Sequence, residues 1–340
     1  MILRYSFFIL FFSLLFSLLF SSCKNDPLNI DASNVIVDVK FTNIDSALFY
    51  NDSSSLIQAH RSFKKEMENI YAYEIGHVLK IGDVEDSAFF NSIQQFRADS
   101  SIQQLEQSLF ELTPNLKAKE NGVKNGFSHL KYHFPQGKIP RNIAYLNALF
   151  TTAIFCTEEE IGVGTEWYLG KENQIVQQLN TQYFFDWMKE AMDEQFYERD
   201  VLTGWIETHY IDPVNGNLAE NFVRWGKILY LTEASFPDKE KSVILRYSPE
   251  NYKWALDNEE EFWSYLVKEK LLFKIDERTI RNMIKEGPFT PGLPNQDSPD
   301  RLGQFIGWRM VHQYMKKNEI SLEELVKVNY NDILQAYEID

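Results

Sequence analysis

In the stretch GWIETHY, residues 204–210, Glu207 and His209 are of the types that bind a metal ion and polarise water. Zinc-dependent peptide hydrolysis needs His-Glu-x-x-His on one helix. One turn then brings both imidazoles to a single ion, and the glutamate polarises the attacking water. A further carboxylate comes from the next helix. With His209 as the second histidine, Trp205 and Ile206 hold the first His and Glu positions; with Gly204 as the first, Trp205 and Thr208 hold the Glu and second His positions. Either register keeps at most one ligand. Glu207 and His209 lie two residues apart, roughly 200° around a helix, so they cannot share an ion. In the following stretch RWGKILY, Trp225 stands where the glutamate of a Glu-Gly pair would serve. The expectation is no metal, no cofactor and no catalytic residue here.

Other constellations are weaker. His129 and His133 are four apart and could bridge an ion from one helical face, but two packed or solvated side chains explain them as well. Glu158–Glu160 and the Asp193/Glu194 pair supply carboxylates for glycosidase chemistry. That chemistry requires two carboxyls facing each other across a cleft, which spacing alone does not provide. His312 falls at helical spacing with Leu302, Phe305 and Arg309 and reads as a hydrogen-bonded packing residue. Cys156, within TTAIFCTE, reads as a buried small hydrophobe. Gly-x-Ser-x-Gly, a phosphate loop and a dinucleotide fingerprint are all missing from the sequence.

Cys23 carries a different chemistry. Arg4 precedes an almost unbroken apolar run from Tyr5 to Phe20, and Ser21 and Ser22 separate that run from Cys23. The run is short for a spanning helix, which needs about 20 apolar residues, and fits a cleaved secretory leader; an uncleaved signal anchor is the alternative, and both export residues 23–340. Phe20-Ser21-Ser22-Cys23 has the form of a lipobox, with Phe20 where leucine is usual. Cleavage there leaves residues 1–22 as a leader and Cys23 as the N-terminal residue, its sulfur carrying diacylglycerol. Each buried methylene adds about 0.8 kcal/mol, so two or more chains anchor stably. Cys156 is then the one free thiol, and the fold needs no disulfide.

These residues sit in a chain of 340 amino acids with 44% hydrophobic and 15% aromatic residues, ample for a large core. The net charge of −15 disfavours nucleic acid as a partner. Residues 23–34 read as a polar spacer and 35–340 as one folded region, helical to about 135. Alternation in VIVDVKF, 35–41, predicts a first strand. Helices are predicted over 53–77, 86–97 and 100–111, and from Thr113 as N-cap with Pro114 in the first turn to about 131. Residues 141–170 lack helical period and predict a small sheet of two or three strands. Helices follow at about 181–196, 198–210, 217–236, 248–272, 276–286, 299–317 and 329–338. The loop GPFTPGLPNQDSP, 287–299, breaks the series. Leu218, Phe222, Trp225 and Leu229 form one stripe, with Glu220 and Arg224 as an i,i+4 pair beside it. Gly303 and Gly307 leave a smooth face for close approach to the 217–236 helix, where Arg309 would meet Glu220 or Glu207. The fold class is α+β, mostly helical.

The blocks KIPRNIAYLNALFTTAIFCTEEEIGVGTEWYLG, YERDVLTGWIETHYI, GNLAENFVRWGKILYLTEASFPD, EGPFTPGLP and PDRLGQFIGWRMVHQYM occur in this order. Together with the terminal ILQAYEID and the lipobox, they resemble the gliding motility lipoprotein GldB family of the Bacteroidota. The resemblance implies an envelope lipoprotein needed for gliding, working with the gliding machinery and its associated secretion apparatus. It implies no activity by itself. The layout of a small sheet followed by paired helices also resembles predicted zinc-dependent proteases, here as a zincin-like scaffold without its metal ligands. On that view Trp205, Glu207, His209, Glu220, Arg224, Trp225 and Arg309 line a vestigial cleft or a docking surface. The expected placement is lipid-anchored and facing the periplasm, since KNDP after Cys23 matches poorly the lysine-then-acid pattern of surface export. A divergent envelope hydrolase, metallopeptidase-like or acting on peptidoglycan, is the alternative.

Overall fold

The computed structural model describes residues 28–82, 86, 88–293 and 296–339. The expected leader, Cys23 and spacer residues 24–27 lie outside them. The chain divides into two units, Met1–Asp31 and Ala32–Asp340, and the second holds every element below. No helix among the described residues is long and apolar enough to cross a membrane.

Four strands make one mixed sheet within a mostly helical α+β architecture: β1 (Lys40–Asn43), β2 (Asn142–Leu146), β3 (Ile154–Cys156) and β4 (Glu160–Gly164). The order is β1-β2-β4-β3, with β1, β2 and β4 parallel and β3 antiparallel at the edge. Lys40 lies opposite Asn142, Asn142 opposite Glu160, and Ile154 opposite Val163. Every residue of β2 and β4 is buried. Central strands covered on both faces lose alternation, which is why 141–170 carries no period of two. The first strand begins later than VIVDVKF predicts. Pairing starts only at Lys40, where Arg141 offers its carbonyl, and Ile36 points to solvent at 92% exposure. That strand then joins β2 from 102 residues upstream, a pairing no local pattern announces.

The amino-terminal helices are α1 (Ile44–Tyr50), α2 (Ser53–Glu66), α3 (Glu68–Tyr73), α4 (Phe89–Ala98), α5 (Ser100–Ala118) and α6 (Glu120–His133), with a π-helical turn at Glu74–Val78. The single helix expected over 53–77 is broken at buried Met67, whose φ of −142° and ψ of 46° leave the helical region. The expected N-cap at Thr113 is also corrected. Leu105, Leu109, Leu112 and Leu116 bury one continuous stripe, so α5 runs through Pro114 and ends near Lys119. Packing outweighs the roughly 3 kcal/mol penalty of an interior proline, and the Thr113 hydroxyl donates to the Leu109 carbonyl at 2.9 Å.

After the sheet come α7 (Gln174–Gln178), α8 (Asp186–Glu190), α9 (Tyr197–His209), α10 (Leu218–Ser235), α11 (Lys241–Ile244), α12 (Pro249–Asp257), α13 (Glu259–Lys268), α14 (Glu277–Ile284), α15 (Leu302–Lys317), α16 (Leu322–Leu325) and α17 (Tyr330–Gln335). The helix expected at 181–196 reduces to α8 and a 3-10 turn at Glu194–Phe196, and that at 248–272 splits at Asn258. Helix α9 packs on β3 and β4, and α10 packs on both α9 and α15. The α10–α15 crossing is as close as the glycine spacing predicts: Gly226 faces the Gly307 carbonyl, and Gly307 faces that of Phe222.

Candidate functional site

A cleft of about 480 Å³ opens between α9, α10 and the segments around Arg246, Glu286 and Arg301. From α9 it takes Arg199, Asp200, Thr203, Gly204 and Glu207. These positions, i, i+1, i+4, i+5 and i+8, share one face. Trp225 of α10 and Trp167 of the 3-10 turn Thr165–Tyr168 also line it.

Three arginines meet here, each with its side chain less than a tenth exposed. Arg199 Nη1 lies 2.7 Å from Asp200 Oδ1. Arg246 reaches Asp200 Oδ2 at 3.3 Å through Nε and Glu286 Oε1 at 2.9 Å through Nη1. Arg301 lies 2.9 Å from Asp300 Oδ2 and 3.6 Å from Glu286 Oε1. Burial opposes the charge on Arg246 and Arg301, yet the surrounding carboxylates overcome it and hold both pKa values above the ordinary one. For Arg199 burial prevails and its pKa is lowered. Burial works to raise Glu286, but Arg246, Arg301 and Arg199 hold it below its ordinary value. Arg246 and Arg301 both take left-handed backbone, with φ of 57° and 52°. Such conformations cost a non-glycine residue on the order of 1 kcal/mol or more. The lattice of ion pairs and the bonds from Arg246 Nη2 to the Ala191 carbonyl and from Arg301 Nη2 to the Arg246 carbonyl hold them there.

The residues singled out from sequence divide. Glu207 and Trp225 line the cleft, and Arg224 adjoins it, with Nη1 3.2 Å from Glu207 Oε1 and its guanidinium 5.7 Å from the Trp225 ring centre. Arg224 thus pairs across to α9 and not with Glu220, which sits in the first turn of α10 under the Asn217 cap. Trp205 and His209 are absent from the cleft lining. Trp205 is fully buried, donates from Nε1 to the Lys138 carbonyl at 2.9 Å and meets the His209 ring at a tilt, 3.9 Å between ring centres. His209 Nε2 lies 2.9 Å from the Thr157 carbonyl, and burial lowers its pKa. Arg309 meets neither Glu207 nor Glu220. Its Nε contacts both oxygens of Glu259, at 2.8 and 2.9 Å, and the Tyr337 hydroxyl joins them. The helical face toward the cleft is therefore neither register weighed from the sequence. It is the one that carries Arg199, Asp200 and Thr203.

The fold and cleft belong to a stretch that matches the family model of the gliding motility protein GldB over residues 25–338. The chain belongs to this family. No curated protein and no solved structure matches it.

Two further polar groups mark this GldB-family domain. Glu233 of α10, 1% exposed, accepts from Trp308 Nε1 at 2.7 Å and lies 2.6 Å from both His312 Nε2 and Lys241 Nζ. His312 is thus the hydrogen-bonded packing residue its spacing suggests, set between the Tyr230 and Trp308 rings. Among the described residues, no group of three or more His, Cys, Asp and Glu side chains is placed to hold a metal ion. Cys156 lies on β3, and burial pushes its thiol up to about 12, helped by the Glu207 charge and opposed by a hydrogen bond to Thr208. At pH 8 the thiolate fraction is then about 10⁻⁴. Iodoacetamide is expected to label Cys156 only after denaturation; rapid labelling of the folded protein would contradict this environment.

Arg199, Asp200, Arg246, Glu286 and Arg301 were not singled out from sequence. One signal was present: Arg199, Asp200, Thr203 and Glu207 share the helical face opposite the apolar one formed by Val201, Leu202, Trp205 and Ile206. Arg246, which pairs with Asp200, comes 46 residues further on and leaves no local trace.

Proposed function

We propose that the chain is a lipid-anchored envelope component of the gliding machinery and its associated secretion apparatus, facing the periplasm, that works by binding a partner and catalyses no reaction. The observation that carries this reading is the chemistry of the cleft. Its polar groups are arginine–carboxylate pairs, which recognise planar charged groups. The cleft-facing side of α9 carries Arg199, Asp200 and Thr203, none of them a histidine, and Arg199 and Asp200 are already paired with each other. On this reading the domain is a peptidase-like scaffold turned to recognition.

Anchoring enters through Cys23. Cys23→Ser is expected to abolish incorporation of labelled palmitate and release the protein from the detergent phase, and cells carrying it should stop gliding. Normal gliding without the label would overturn the anchored reading. The binding reading is tested separately with Trp225→Ala, which removes a half-buried wall of the cleft. Gliding should fall at unchanged protein level, and purified full-length protein should cleave neither casein nor peptidoglycan. Cleavage lost on mutating Glu207 or Asp200 would replace this function with the hydrolase.

A further inference from the structure

We infer that the cleft is a binding site for a carboxylate-bearing peptide segment, held by the Arg199–Arg246–Arg301 cluster through its charge and by Trp167 and Trp225 through its apolar neighbours. This inference rests on the binding function proposed above and adds the chemistry of the occupant.

Three observations carry it. The first is unspent donor capacity. Arg199 Nε and Trp167 Nε1 are buried and find no hydrogen-bond partner among the described residues. Both residues line the cleft. Buried donors without acceptors are rare and costly, and both of these belong to side chains of the cleft wall.

The second is a built-in stand-in. The Glu286 carboxylate lies 2.9 Å from Arg246 and 3.6 Å from Arg301, while its own side chain is half exposed. The chain itself shows that these guanidinium groups take a carboxylate from the solvent side. Planar guanidinium forks match carboxylates in a paired geometry that a point charge does not require. An incoming carboxylate either displaces Glu286 or uses the Arg199 side.

The third is the wall. Trp167, Trp225, Ile154 and Ile284 lie beside the arginines, and an inorganic anion would leave them unused. A volume of about 480 Å³ suits a few residues of extended peptide, within the usual range of small-ligand sites. The carboxylate could belong to a chain terminus or to an Asp or Glu side chain, and both are the same chemistry here. A nucleic acid is disfavoured by the net charge of −15.

The test uses the full-length protein in detergent and calorimetric titration with four probes. These are acetyl-Leu-Ala-Leu-Ala with a free terminus, acetyl-Leu-Glu-Leu-Ala amide, acetyl-Leu-Gln-Leu-Ala amide and inorganic phosphate. At least one carboxylate peptide is expected to bind about tenfold or more tighter than the neutral amide, weakening with added salt. Which of the two binds identifies the source of the carboxylate. Trp225→Ala should weaken that peptide about fivefold or more, by loss of apolar contact. Glu286→Gln, at an exposed position, should tighten it about threefold or more, because a competing negative charge leaves the site. Equal binding of acidic and neutral peptides, no binding of either acidic peptide, or phosphate binding as tightly and indifferent to Trp225 would each overturn the inference. If the peptides fail while Trp225→Ala still stops gliding, the fault lies in the assigned chemistry. If Trp225→Ala cells glide normally, the binding function itself has failed.

Discussion

Gly307→Ala is expected to destabilise the domain by about 4 kcal/mol or more, and to leave little folded protein at 37 °C. A Cβ at Gly307 would sit 1.8 Å from the Phe222 carbonyl oxygen and 2.5 Å from its carbon. Both obstacles are backbone atoms of α10, so no rotamer change relieves them; the helices must separate. Gly226 interlocks from the other side, where a Cβ would lie 2.1 Å from the Gly307 carbonyl oxygen. Separation would loosen Phe222, Phe305 and Ile306, all fully buried. It would also pull Trp308 and His312 away from Glu233 and strand a buried carboxylate, which by itself costs several kcal/mol. Gly76→Ala is the control. Nothing lies within 4 Å of a Cβ there and its φ is not positive, so alanine should be neutral or stabilise by up to about 1 kcal/mol through the unfolded chain. Urea unfolding followed by circular dichroism separates the two. A Gly307→Ala protein within about 1 kcal/mol of the parent would mean that α10 and α15 do not cross this closely.

The close crossing was legible in the sequence because two glycines four apart inside an apolar helix have few other uses. Residues 141–170 announced a sheet by the loss of helical period, and His312 announced a packed, bonded ring by its neighbours. What stayed hidden was partnership. Periodicity reports which face of an element is covered, not what covers it. Arg309 therefore found Glu259 in place of the expected Glu207 or Glu220, and Arg224 turned to Glu207 and not to its i,i+4 neighbour. β1 gave the same difficulty, since its partner comes from 102 residues downstream. The arginine cluster gave it in the strongest form. Arg199, Arg246 and Arg301 stand in three separate segments, and two of them take left-handed backbone that their residue type does not advertise. The α9 residues facing the cleft were misjudged for a related reason. His209 and Trp205 are the conspicuous types, but Trp205 is fully buried beside the Lys138 carbonyl. The helix rotates accordingly and shows Arg199, Asp200 and Thr203 to the cleft.

Stability is expected to fall by on the order of 3 kcal/mol as pH rises from about 4.5 to about 7, through Glu166 alone. Glu166 is fully buried, and its oxygens accept from the backbone N–H groups of Phe150 at 2.7 Å and Ala148 at 3.2 Å. Those bonds hold a loop in which Leu149 and Phe150 both take positive φ. Burial nevertheless prevails over the bonds, and pushes the carboxyl from its ordinary 4.5 up to about 7. The folded state therefore keeps a proton that the unfolded chain releases above 4.5. Its stabilising contribution is complete below that value and is lost as pH climbs through 7. Glu74, Asp45 and Glu106 are also raised, chiefly by burial, with mutual repulsion adding for Glu74 and Asp45, so they steepen the same slope. Glu233 acts oppositely. Burial would raise it, but His312 and Lys241 hold it below its ordinary value, so its contribution is present above about 4.5 and disappears on acidification. Glu166→Gln should lower stability at pH 5, because the amide turns an N–H group toward one of the two backbone donors. It should also remove about 3 kcal/mol from the difference between pH 5 and pH 8. The offset and the slope are independent readouts of urea unfolding. An unchanged slope in Glu166→Gln would mean that this carboxylate is already ionised in the fold, and that the buried acids beside it carry less strain than their burial implies.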